Sequence, residues 1–203
     1  MKLFELGSVV YASFSLRRVV SPYITQLQLK VAKTVFLGIL QDDEVIYIDK
    51  REDPRSEILF ASNIGTRRPP YFGMLGQVLM AFLPDIEVNR ILLRKPLTAS
   101  TRKSITDEDR FRERLRTIRK NGFLVEEGEA IDGITGISAP IRAIGGKVVA
   151  AIGVSLISSS EDENGKYGII KEVVNTAHEI SQRLGLSEGT GKNGFNEFTK
   201  EAR

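Results

Sequence analysis

Residues 120–160 read KNGFLVEEGEAIDGITGISAPIRAIGGKVVAAIGVSLISSS, and this stretch decides the fold. A helix ends at Gly122, a short extended piece follows, and an acidic turn carries Glu126, Glu127 and Glu129. Two strands then face each other across Ala143-Ile144-Gly145-Gly146. The first, Ile134 to Arg142, alternates apolar and small residues. The second, Lys147 to Ile157, is nearly all apolar and β-branched, which suits a central strand covered on both faces. Gly136, Gly153 and Ser155 interrupt that apolar pair. Glycine inside a strand gives up packing and marks a bulge or a close approach of backbone or ligand. Small residues on a sheet with a carboxylate at the rim suit the floor of a small-molecule pocket.

Upstream, Leu16, Val19, Val20, Tyr23, Ile24, Leu27 and Val31 recur at helical spacing, and Ser21-Pro22 is expected to cap a fresh helix within that run. Residues 34–40 and 44–50 form a hairpin around Gln41-Asp42-Asp43, with Ile46 and Ile48 on one face and Val45, Tyr47 and Asp49 on the other. A third strand is expected over Glu57 to Ser62, then a polar loop to Pro70 and a helix from Phe72 to Phe82. Gly73 and Gly76 in its first turns leave backbone N–H groups accessible to an anion. Helices follow over Asp85 to Arg94 and from a Thr106 cap to Asn121, and a last one spans Tyr167 to Leu184 after a polar turn at Glu161 to Gly165. The order predicts an α+β fold, a largely antiparallel β-sheet flanked by helices.

At 203 residues, 41% hydrophobic and 27% charged, the chain is long and apolar enough to bury a core. There are no cysteines, which excludes disulfides and thiolate chemistry and fits a cytoplasmic protein. One histidine, His178, has no evident second ligand, so no metal site and no cofactor is expected; it reads as a surface or packing residue. The longest apolar run, Val148 to Ile157, falls well short of the ~20 residues a membrane span needs, so no membrane partner is expected. Between Arg90 and Lys120 eleven basic residues outnumber four acidic ones. Scattered around one capped helix, they read as a solvated face rather than a DNA-binding surface.

Several segments together resemble the effector-binding domain of the IclR family of bacterial and archaeal transcriptional regulators. They are Leu3-Phe4-Glu5-Leu6-Gly7, Leu16 to Leu27 with Ser21-Pro22-Tyr23, the hairpin from Thr34 to Arg51, GTRRPPYFGMLGQVLMAFLP from Gly65 to Pro84, and Asn121 to Ser158. The fourth of these differs from the family's usual G-x-x-x-P-x-H-A-T-A-x-G-K. Tyr71 replaces histidine, Phe72-Gly73 replaces Ala-Thr, and Gln77 replaces lysine; Gly136 stands where cysteine is common before Ala-Pro. The resemblance implies a GAF-like domain over 16–185, preceded by a linker helix (1–15) that follows a winged helix-turn-helix absent here, and followed by a mobile tail (186–203). It also implies a homodimer or tetramer that meets DNA only through that absent module.

By the same resemblance the ligand site comprises Met74, Leu75, Gly76, Glu126, Gly136, Gly153 and Ser155, with a small organic acid as effector. The helix N-terminus favours a carboxylate. Ser155 offers a hydroxyl, Glu126 an acceptor for a ligand hydroxyl or amine, and Met74 and Leu75 apolar walls. Plainer readings stand beside these. Gly136 and Gly153 also fit relief of crowding in a twisted sheet, Glu126 and Glu127 fit solvated turn acids, and Ser155 fits a backbone-bonded residue. Two other functions stay open. One is a ligand-free dimerisation module with the pocket filled by Tyr71 and Phe72. The other is a small-molecule enzyme using Glu126 or Glu127 as general base, for which no second catalytic group is evident.

Overall fold

The computed structural model describes residues 2–53 and 62–185, with side chains from Leu16 onward. The expected third strand at 57–62 and the tail at 186–203 lie almost wholly or wholly outside the described residues. In chain order come α1 (Lys2–Val31), β1 (Thr34–Gln41), β2 (Glu44–Arg51), β3 (Arg67–Arg68), α2 (Gly73–Ala81), α3 (Asp85–Arg94), α4 (Glu108–Asn121), β4 (Leu124–Glu127), β5 (Ile134–Arg142), a 3₁₀ turn at Ile144–Gly146, β6 (Val148–Ile157) and α5 (Glu163–Arg183). The six strands form one antiparallel sheet in the order β3-β2-β1-β6-β5-β4. The α+β expectation is met.

Alternation along the strands loads both faces of the sheet. One layer packs Val20, Ile24 and Leu27 of α1 and Ile169, Val173, Ala177 and Ile180 of α5 against Val35, Leu37, Ile137, Ile152 and Val154. The other packs Met74, Leu75, Val78 and Leu79 of α2, with α3 and α4, against Phe36, Val45, Tyr47 and Ala151. The central strand β6 is covered on both faces, as its apolar run predicts.

Local departures from the sequence reading have identifiable causes. No fresh helix begins at Ser21-Pro22; α1 runs through with Pro22 inside it. Interior proline costs about 3 kcal/mol, and here the buried series Val20, Ile24 and Leu27 keeps one register across it. The Ser21 hydroxyl, free of capping duty, accepts from Arg51 Nη2 at 2.7 Å. The cap of α4 is Asp107 rather than Thr106, its carboxylate accepting from Arg110 N–H at 2.8 Å. α5 starts at Glu163, inside the expected polar turn, because Asp162 caps it through Gly165 N–H at 2.7 Å.

The β1–β2 hairpin turns on Asp42 and Asp43, with φ of 54° and 60°, the pair of left-handed residues that a two-residue hairpin requires. Asp43 then ties the hairpin to α3 through Arg90 at 2.8 Å and Arg94 at 3.3 Å. Further along, Leu37 pairs with Asp49 but Gly38 with Tyr47, so Ile48 is an extra residue, a β-bulge. The bulge corrects the expected alternation. Tyr47 joins the α2 layer, whereas Asp49 turns to the α1 layer and meets Arg17 Nε at 3.4 Å and Arg51 Nη1 at 2.5 Å.

Candidate functional site

The candidate site lies where the N-terminus of α2 meets the sheet. Gly73 opens the helix with φ +65°, and Phe72 at the cap position supplies no side-chain hydrogen bond. The first N–H groups of α2 therefore lack the side-chain acceptor that usually occupies them, and the helix dipole is positive there. The first turn is held in place from two sides. Ser138 Oγ donates to Met74 O at 2.9 Å, and at Gly76 a Cβ would stand 2.1 Å from Pro70 O, so only glycine lets the preceding loop pass so close.

Strand register assembles the floor. Glu126 pairs with Gly136, Gly136 with Ser155, and Ser138 with Gly153. Met74 lies directly over this floor. A Cβ on Gly136 would come within 3.0 Å of Met74 Sδ and of Glu126 Oε1, and one on Gly153 within 2.8 Å of the same sulfur. The structure thus brings together Met74, Glu126, Gly136 and Gly153. Ser155 lies in the row beside them, half-buried. Leu75 is separate: its side chain reaches toward Gly38 beneath the helix, in the apolar layer. The two glycines make room for the methionine.

Glu126 is 4% exposed. Burial raises its pKa to about 7, and the nearby Glu129 carboxylate adds to the rise; N–H groups of Glu129 and Ala130, and Arg114, oppose it. The Glu129 N–H donates to Glu126 Oε2 at 2.9 Å. The turn that presents this N–H is fixed by Thr101 Oγ1 donating to Gly128 O at 2.6 Å and Ser104 Oγ to Glu129 O at 2.7 Å. Arg114 Nη2 and Gln77 Nε2 hold the Glu129 carboxylate at 2.7 and 3.3 Å. Near neutrality Glu126 is thus both a donor and an acceptor.

Glu127 sits elsewhere. One step along β4 it points away, exposed, to Lys166 Nζ at 2.8 Å. The two acids therefore form no catalytic pair. Tyr71, expected as a filler, bonds Thr98 Oγ1 at 3.0 Å, and with Phe72 and Gln77 it lines a cavity of ≈ 20 Å³, room for about one water. His178 lies exposed beside Gln182 on α5. Among the described residues no group of His, Cys, Asp or Glu could hold a metal ion.

Sequence reasoning missed Tyr47, Arg68, Gln77 and Ser138. Arg68 pairs with Val45, which faces α2, so it shares that face. Its guanidinium lies over the Phe72 ring at 5.2 Å. Tyr47 packs edge-on against Phe36 with ring centroids 5.6 Å apart. The one usable signal was parity: Arg68 and Val45 share a face only once the two-residue strand is known.

A family model described as bacterial transcriptional regulator IclR C-terminal matches residues 9–182. The chain is 29% identical over 192 residues to the HTH-type transcriptional regulator XynR of Escherichia coli, covering 94% of this chain and 73% of that protein. The crystal structure of Thermotoga maritima IclR superposes with a TM-score of 0.81 at 29% identity, covering 91% of this chain and 74% of that one. The C-terminal domain of E. coli transcriptional regulator KdgR superposes at 0.76 and 26% identity, covering 84% of this chain and 99% of that domain.

Proposed function

The chain belongs to the IclR family of transcriptional regulators through its C-terminal domain, and from that premise we propose that it senses a small organic acid at the N-terminus of α2. It is a regulator's domain and not an enzyme. The observation that carries the reading is the uncapped start of α2 standing over a buried carboxyl at Glu126. The helix end attracts a carboxylate, and Glu126 and Ser155 offer hydrogen bonds to the ligand's remaining polar groups. Met74 lies over the floor and closes the apolar side.

In this reading residues 16–185 are the effector-binding unit and α1 leads into it from a DNA-binding winged helix-turn-helix. The chain assembles as a dimer or tetramer in the cytoplasm. Effector binding shifts the arrangement of subunits and hence the spacing of the DNA readers, to the extent that it favours one arrangement over the other. No helix among the described residues is long and apolar enough to cross a membrane.

The test is a thermal-shift screen against mono-, di- and aromatic carboxylic acids. A ligand that binds only the folded chain must raise its melting temperature. A saturable rise that shrinks about tenfold in affinity in Glu126→Ala and Ser155→Ala supports the site. An affinity unchanged in both variants moves the site elsewhere, and silence across the panel favours a plain assembly module.

A further inference from the structure

The α2 corner is shut as it stands. Between Gly73, Gln77 and Glu129 the space is ≈ 20 Å³, room for about one water. Met74 stands 2.8–3.1 Å from where side chains on Gly136 and Gly153 would begin. The smallest carboxylic acid is larger than a water, so one wall has to move before any acid reaches Glu126. Three walls are pinned. Ser138 Oγ on Met74 O and the passage of Pro70 against Gly76 hold α2, and β5 and β6 are inner strands of the sheet.

The fourth wall is the turn at residues 128–133, which leaves the edge strand β4. Gly128 and Gly133 bound it with φ of 74° and 73°. Glycine enters and leaves the left-handed region without strain, which suits both ends as hinges. The outer part of the turn, Ile131 to Gly133, is exposed to water. Its inner part covers α2, with the Ala130 Cβ 3.4 Å from where a side chain on Gly73 would begin.

Glu129 fastens this turn. Its carboxylate receives Arg114 of α4 at 2.7 Å and Gln77 of α2 at 3.3 Å. Its carbonyl receives Ser104 Oγ at 2.7 Å and Thr101 Oγ1 at 3.2 Å, from the loop before α4. None of these four bonds belongs to the strand ladder. The closed seam is also imperfectly matched: Gln77 Oε1 and Arg114 Nη1 are buried without a hydrogen-bond partner among the described residues. Unmatched buried polar groups raise the energy of the closed state, and opening gives both access to water.

We infer that the turn 128–133 is a gate over the α2 corner, hinged at Gly128 and Gly133 and latched by Glu129, and that an acid reaches Glu126 only while the gate is open. This rests on the reading of that corner as the effector site. Glu126 joins gate and floor. Its Oε2 holds the turn through the Glu129 N–H, and its Oε1 faces the floor at Gly136. Glu129 is a positioning residue, acting through the turn and Glu126.

Amide hydrogen exchange of the full 203-residue chain, followed by NMR at the Ala130 N–H, tests the gate without a ligand. Glu129→Ala is expected to speed exchange over residues 130–133 about tenfold or more, the effect of losing hydrogen bonds to a charged group, with β6 and α5 unchanged. Ser104→Ala, which leaves both carboxylates in place, speeds it several-fold. Glu129→Gln keeps an acceptor for Arg114 and recovers part of the protection. Acetate, succinate and benzoate are then titrated, with association rates taken from NMR line shapes. An acid that binds should associate faster with Ser104→Ala than with the unaltered chain, by the factor that exchange rises, because entry scales with the open fraction. Unchanged exchange at Ala130 in both Glu129→Ala and Ser104→Ala, or an equal rise throughout the chain, overturns the gate and leaves the effector reading intact. Faster exchange without faster association does the same. No binding of the three acids to the unaltered chain overturns the effector reading and the gate with it. If Glu129→Ala does not fold, Ser104→Ala decides.

Discussion

Met74 occupies the space that a side chain on Gly136 would need: its sulfur stands 3.0 Å from the absent Cβ. The helix and the sheet are therefore fitted to each other at one point, and the glycines in the strands belong to that fit as much as to any ligand.

Filling either glycine should cost stability, and unequally. At Gly136 the added methyl meets side-chain atoms of Met74 and Glu126 at 3.0–3.1 Å, whereas at Gly153 it also meets the Ile137 carbonyl at 2.9 Å. Gly153→Ala should lose about 1–3 kcal/mol and Gly136→Ala less. Denaturant melts of the two variants, alone and with Met74→Ala, check this; the double variants should recover part of the loss.

Gly76→Ala should be worse than either. Its methyl would meet Pro70 O, which is backbone and cannot swing aside. The expected outcome is a loss above about 3 kcal/mol, read as a shifted urea midpoint or as chain recovered only in the insoluble fraction.

Glu126 should make stability depend on pH. Its folded pKa is about 7 against an ordinary value of 4.5. The folded state holds this proton more tightly than the unfolded one. Stability from this group is thus full below pH 4.5, falls as pH rises toward 7, and stays low above it. The difference is about 3 kcal/mol. Glu126→Gln should therefore be the more stable chain at pH 8 and gain nothing at pH 4, in paired melts across that range.

Asp49→Asn should loosen α1 from the sheet. The carboxylate is fully buried but its partners Arg17 and Arg51 are 40% and 32% exposed, so water offsets part of the loss. A cost of about 2 kcal/mol is expected. Hydrogen exchange should locate it in α1 and β2, with β5 and β6 unaffected.

Much of this fold was legible because periodicity is strong where burial is two-sided. The run from Val148 to Ile157 and the α5 pattern from Ile169 to Ile180 admitted few alternatives. The Ser21-Pro22 start failed because burial on both sides of the proline outweighed its local preference for a first turn. Of the site, Glu126, Gly136 and Gly153 were readable as residues out of place in an apolar context. Arg68 and Tyr47 were not. An arginine in a polar loop and a tyrosine in a hairpin look ordinary; the pairing of Arg68 with Val45 and the packing of Tyr47 on Phe36 place them on the α2 side.

The bulge at Ile48 has one more implication, for insertions and deletions rather than substitutions. A strand that alternates strictly would give Tyr47 and Asp49 the same address. The extra residue gives them different ones, so position 48 contributes length as well as its apolar contact with the α1 layer. Removing it would carry Asp49 into the layer of Phe36 and Val45, where neither Arg17 nor Arg51 could follow, or else carry Tyr47 out of it. Apolar side chains that keep the packing of Ile48 on the α1 layer should be tolerated at this position, and no gap.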